Sequence, residues 1–213
     1  MKIRLAGTAL AAMLLSACSF GASSEGKLSD AIGTIQEKEQ PFLEAQEKMA
    51  SLEKEEFELF NEMMELTQDD REELAALAAE ADSSADERLS LLEEGKDALS
   101  QAQKELSGLD EIGEDGDPIR DAIDNLKQSM ADRYGAHEEF SGLYEKASEI
   151  QKELYSLATD EEADFQSIQE KVEAVNSANS EVKAAASAFN EATDTVNEKK
   201  KMAYDTIAES EGN

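Results

Sequence analysis

One cysteine, one histidine, two prolines and no tryptophan are spread over 213 residues. A single thiol leaves no intramolecular disulfide to form, so stability must come from packing alone. One histidine and one cysteine cannot assemble a zinc site from the usual nitrogen and sulfur ligands. The nucleophile elbow G-x-S-x-G, the complete phosphate loop G-x-x-x-x-G-K-[ST] and the zinc helix H-E-x-x-H are missing. S-x-x-K occurs at Ser24–Lys27, Ser51–Lys54 and Ser180–Lys183, but no S-D-N or K-T-G accompanies it. In a helical chain bearing many Ser and Lys, such matches arise by chance. Positive charge is scarce too: 20 Lys and Arg face 50 Asp and Glu, a net charge of −30. That balance excludes nucleic acid, whose phosphates would be repelled. It also disfavours broad contact with anionic lipid, and direct contact with a polyanionic wall polymer unless divalent cations bridge the two. Most of these carboxylates are read as a solvated surface. No cofactor and no small-molecule substrate is indicated.

The longest apolar run is short. Leu5 to Leu15 spans about eleven residues behind Lys2 and Arg4, the length of a signal h-region and well below the ~20 residues that cross a bilayer. Leu15-Ser16-Ala17-Cys18 follows. It resembles the lipobox of bacterial lipoprotein signal peptides. The resemblance implies cleavage between Ala17 and Cys18, lipid on the Cys18 sulfur and a further acyl chain on its new amino group. Residues 1–17 are then a signal peptide, and 18–27 the lipidated cysteine with a Gly- and Ser-rich flexible tether. Residues 28–213 form a single elongated helical domain. Without Lys2 and Arg4, 18 basic residues face 50 acidic ones, a net −32.

The remainder is rich in Glu, Ala, Leu, Lys and Gln, a helix-forming composition. Phe165, Ile168, Val172, Val175, Val182, Phe189, Val196, Ala203 and Ile207 keep a 3-4 spacing, with Asn179, Ala186, Thr193 and Lys200 in the intervening seam positions. About six heptads of this kind predict a long helix in coiled-coil packing, with Asn179 fixing its register. Thr159 and Glu162 form a T-x-x-E capping box ahead of it. Ile119, Ile123, Leu126, Met130, His137, Phe140, Tyr144, Ala147 and Leu154 mark a second helix, capped by Asp117 with Pro118 in its first turn. Residues 107–117 read as a loop. Phe42, Ala45, Met49, Leu52, Leu59, Met63 and Leu66 mark a third helix, with Glu56 the odd member of its stripe. Pro41 is expected to kink it or to divide it from a shorter piece carrying Leu28, Ile32 and Ile35. Leu74, Ala78, Ala81, Ala85, Leu92, Leu99, Ala102 and Leu106 mark a fourth, with a break expected near Asp82-Ser83, where Ser84 and Glu87 suggest another capping box. Thr67 to Asp70 is the turn between these two. The fold class is all-α: an elongated antiparallel bundle of about four long, coiled-coil-like helices. Two open hairpins are the alternative.

Few residues could carry chemistry. His137 sits on an apolar stripe and reads as a core or boundary histidine. Asp110, Glu111, Glu114, Asp115 and Asp117 crowd the loop, but their spacing does not fit an EF-hand. Lys199-Lys200-Lys201, the one basic run, is placed where cations complement a helix dipole.

Three stretches, residues 37–60, 87–106 and 130–160, resemble together the YkyA family of cell-wall-binding lipoproteins. The most specific part is Arg133-Tyr134 with Ala136, then Tyr144, then Lys152-Glu153-Leu154-Tyr155 and Leu157. The resemblance implies a lipid-anchored helical protein on the outer face of the cell membrane. It implies no activity and no binding residues, and this chain is far more acidic than the family's pattern. The function expected is a non-enzymatic envelope protein, held to the membrane through Cys18 and contacting a cell-wall component or an envelope protein. An extracytoplasmic chaperone or adaptor for a membrane complex is the alternative.

Overall fold

The computed structural model describes residues 23–67 and 69–211. They form four long helices, α1 (Ser24–Glu65), α2 (Arg71–Lys104), α3 (Pro118–Ala158) and α4 (Phe165–Glu211), and a 3-10 segment, Glu105–Glu111. At ~1.5 Å per residue each rod is roughly 50–70 Å long. Ser23 caps α1, its side chain accepting from Gly26 N at 3.1 Å. Asp117 caps α3 from Ile119 N at 2.9 Å, with Pro118 next in line as expected. The lipobox, the cleavage point and Cys18 lie outside the described residues. Helix starts earlier than expected: Ser24–Lys27 are the first turn of α1, not tether.

Several local expectations give way to packing. Pro41 does not divide α1, because Ile35 and Phe42 on either side enter the same core and Pro41 itself faces outward. No break occurs at Asp82-Ser83, since buried Ala81 and Ala85 carry the α2 stripe straight through. Thr159 does not start α4. Its hydroxyl turns back to the Ser156 carbonyl at 3.0 Å, closing α3, while Asp164 receives Ser167 N at 2.7 Å and opens α4. The expected loop 107–117 is helical in its first half. Leu106, Leu109 and Ile112 recur every third residue, which a 3-10 turn places on one side, and all three are buried under the bundle. Gly113 and Gly116, at φ 78° and 84°, then turn the chain into α3.

Consecutive helices run antiparallel. α1 pairs with α2 and α3 with α4, and α2 joins α3. The core has three parts. The largest gathers Leu28, Ile32, Ile35 and Phe42 of α1, Ala98, Leu99 and Ala102 of α2, Leu106, Leu109 and Ile112 from the 3-10 segment and its end, Ile119 to Tyr134 of α3, and Phe189, Val196, Ala203 and Ile207 of α4. A middle cluster holds Ala45, Met49, Leu91, Leu92 and Tyr144, with Val182 packed against it. The third, Met63, Ala78, Ala81 and Tyr155, receives nothing from α4. The core therefore draws on four helices near the end where Ser24 meets Glu211 and on three at the far end. Ala178 and Ala185 are the buried alanines in the middle of α4, and Asn179 is exposed, so it fixes no register. Lys199–Lys201 lie more than two turns before the end of α4 at Glu211, too far inside for the dipole; Lys201 pairs with Asp205 at 2.6 Å instead.

Candidate functional site

The feature that departs from a plain apolar bundle is a polar spine along its axis. Glu39, Glu53 and Glu56 of α1 each accept a hydroxyl from α3: Tyr134 at 2.7 Å, Tyr144 at 2.9 Å, and Tyr155 in a short contact. Two arginines neutralise the outer two carboxylates. Arg133 donates to Glu39 at 2.6 Å and to Thr193 of α4 at 3.1 Å, and so ties three helices. Its guanidinium lies 5.1 Å from the Phe189 ring centre. Arg88 of α2 pairs with Glu56 and donates to Tyr144 at 2.7 Å. Arg88 and Glu56 are only 4% and 2% exposed, the deepest charges among the described residues. Burial pushes the Glu56 carboxyl up, a push that Arg88 and the Tyr155 hydroxyl oppose. Burial and the facing glutamates likewise raise all three tyrosines.

Between the two charged ends lies His137, with the Phe42 ring 5.0 Å and the Phe189 ring 5.3 Å from its own. Burial first, and the positive charges of Arg133 and Lys96 second, push it down to about 4. It is a neutral core histidine. The Ser141 hydroxyl beside it donates to the His137 carbonyl at 2.8 Å. Gly95 makes room here, since a Cβ on it would stand 3.3 Å from the Phe42 ring.

Chemically the spine is closed. Its carboxylates are neutralised by arginines or capped by tyrosines, and its residues are packed between helices. Two clefts are elsewhere or shallow: an open depression beside Pro41 lined by Glu37, Lys38, Glu94 and Asp97, and a narrow slot over Arg133 between α1 and α4. Asp110 of the acidic stretch is held by cations of α3, with Lys127 on its carboxylate at 2.5 Å and Arg120 donating to its carbonyl at 2.6 Å. Among the described residues no group of three His, Cys, Asp or Glu could hold a metal ion. No described helix is long and apolar enough to cross a membrane. Gly21 to Lys27 has the G-x-x-x-x-G-K spacing. Leu28 stands where the phosphate loop needs Ser or Thr, however, and Ser24–Lys27 are helical rather than a loop after a strand.

The family comparison falls on the same helices. A family model described as "Putative cell-wall binding lipoprotein", YkyA, matches residues 23–206. The chain belongs to the YkyA family. It is 24% identical over 207 residues to the uncharacterized lipoprotein YkyA of Bacillus subtilis (strain 168), covering 95% of this chain and 92% of that protein. A crystal structure of a conserved protein of unknown function from Staphylococcus aureus matches with a TM-score of 0.75 at 19% identity, over 90% of this chain and 98% of the other. That likeness establishes a shared fold. Of the residues that carried the YkyA resemblance, Arg133, Tyr134, Tyr144 and Tyr155 are members of the spine.

Sequence reading of this YkyA-family chain missed Arg88 and the pairing of Glu39 and Glu53. A signal was present for Arg88. It and Gly95 complete the 3-4 series Ala78, Ala81, Ala85, Leu92, Leu99, Ala102 of α2, where they read as gaps in an apolar stripe.

Proposed function

We propose that this YkyA-family protein is a non-enzymatic, lipid-anchored rod on the extracytoplasmic face of the membrane, a binding or spacing element of the cell envelope. The observation that carries the reading is where α1 begins. Its first turn starts at Ser24, whose backbone N–H donates to Glu211 at the end of α4 at 2.9 Å. Both ends of the folded body thus lie within six residues of Cys18 in sequence or in contact with that end. Five intervening residues reach at most roughly 17 Å when extended. Acylated at Cys18, the body would stand close to the headgroups at one end and project its 66–70 and 159–164 turns some 60 Å outward. Two acyl chains hold where one would be marginal. The closed spine supports binding over catalysis.

Cys18→Ala tests the anchor. The wild-type chain is expected to incorporate labelled palmitate and stay with membranes through a high-salt wash, and the variant to do neither. A variant still retained after the wash would overturn the anchor.

A further inference from the structure

α1 and α4 meet at the end of the rod where Ser24 reaches Glu211, and they share no core cluster at the other end. Glu39 and Thr193 mark the facing sides, since Arg133 bridges them. Phe57 lies 18 residues beyond Glu39 on α1, five full turns, so it shares that side, and Met64 lies two turns further. On α4, Val175 lies 18 residues before Thr193, five full turns, and Ile168 25 residues before it, seven turns, so both share that side, with Phe165 one turn below Ile168. Phe57, Met64 and Phe165 are 50%, 69% and 81% exposed, and Ile168 and Val172 are half-buried. The level is shared too. Phe42 and Phe189 touch, with ring centres 5.8 Å apart, and from there Met64 is roughly 33 Å up α1 and Phe165 roughly 36 Å down α4, at ~1.5 Å per residue.

Charge says what covers this face. Glu58, Glu62 and Glu65 of α1 and Asp164, Glu170 and Glu173 of α4 are exposed along the same stretches. The cations among them are already engaged, Lys54 with Glu58 at 3.4 Å and Lys171 with Glu153 at 2.5 Å. A second copy would bring the same carboxylates and be repelled. We infer that the open distal half of the α1–α4 seam docks a cationic amphipathic helix of a partner protein. The open stretch runs from Ala178, the first buried residue of α4, back to Phe165. That is 13 residues, roughly 20 Å, so three to four turns fit. Apolar residues of that helix would sit on Phe57, Met64 and Phe165 while its Lys and Arg met the flanking acids. The inference rests on the bundle being a binding element and does not depend on the anchor.

The test uses the full chain as cells produce it, in whichever fraction holds it. A photo-crosslinking amino acid replaces Asn61, between Phe57 and Met64, or Glu80 on α2 as control. The probe is a biotinylated 14-residue Leu/Lys peptide with helical amphipathic order. It should crosslink from position 61 at least tenfold more than from position 80, and F57S together with F165S should abolish the difference. A Leu/Glu peptide of the same order, and a Leu/Lys peptide of scrambled order, should not crosslink. Equal yield from both positions, equal yield with either control peptide, no yield at all, or a self-crosslinked dimer from position 61 each overturn the proposal. Cys18→Ala leaves the expected crosslink unchanged, so loss of anchoring and loss of docking are read separately.

Discussion

Arg88 of α2 and Glu56 of α1 form an ion pair sealed inside the bundle, with the Tyr144 and Tyr155 hydroxyls closing its two sides. A pair so deep is costly to make and costlier to break. Removing one partner strands the other in an apolar interior, at about 3–5 kcal/mol. Arg88→Ala should therefore lose about that much in urea unfolding. Arg88→Met combined with Glu56→Gln should lose markedly less than the sum of the single changes. Additive losses would show that the two side chains are not coupled.

His137 gives the fold an acid limit. Its folded value of about 4 lies below the ordinary 6.5, so the neutral ring's contribution is intact above pH 6.5 and drains away as pH falls toward 4. The full loss is roughly 3 kcal/mol. His137→Phe, which keeps an aromatic ring against Phe42 and Phe189, should remove this component. The stability of wild type minus variant, followed by urea titration from pH 7 to pH 4, should fall. A difference that stays flat would mean the histidine is not buried neutral.

Gly113 holds a backbone that side chains resist. At φ 78°, an added Cβ would come within 2.7 Å of Arg120 N. Gly113→Ala should cost about 1–3 kcal/mol through strain at the joint between the 3-10 segment and α3, read as a drop in Tm. Gly116→Ala has the same φ penalty but meets nothing within 4 Å, so its drop should be smaller. Equal drops would mean φ alone decides.

Much of this fold was legible because its apolar residues keep a 3-4 spacing. Leu28, Ile32, Ile35, Phe42 and Met49 of α1, and Ile119 to Met130 of α3, sit in the core where that spacing puts them. Glu56 stood out as the odd member of its stripe, and it is the buried carboxylate. Capping boxes misled at Ser84 and Thr159, because a Glu-rich chain supplies the fourth residue of S/T-x-x-E nearly everywhere. Tyr134 and Tyr155 escaped because each lies one position off its apolar stripe, and Arg133 because it reads as a gap in that stripe. What buries them is a partner on another helix: Glu39 for Arg133 and Tyr134, Glu56 for Tyr155. Pairing of that kind is a property of two segments in register and is not written in either alone. The thinning at the far end was likewise invisible, since Phe165 and Val172 continue the heptads of α4 whether or not α1 covers them.

The central claim is that the bundle stands on the membrane by the end where its termini meet. With Cys18 acylated, Ser107→Cys or Ser156→Cys supplies the only free thiol, both positions being exposed and near opposite ends of the rod. Energy transfer from a dye on each to an acceptor in the lipid surface measures the two heights. Strong transfer is expected from position 107 and little from position 156, some 60 Å higher. Equal transfer from both, or stronger transfer from position 156, would contradict it.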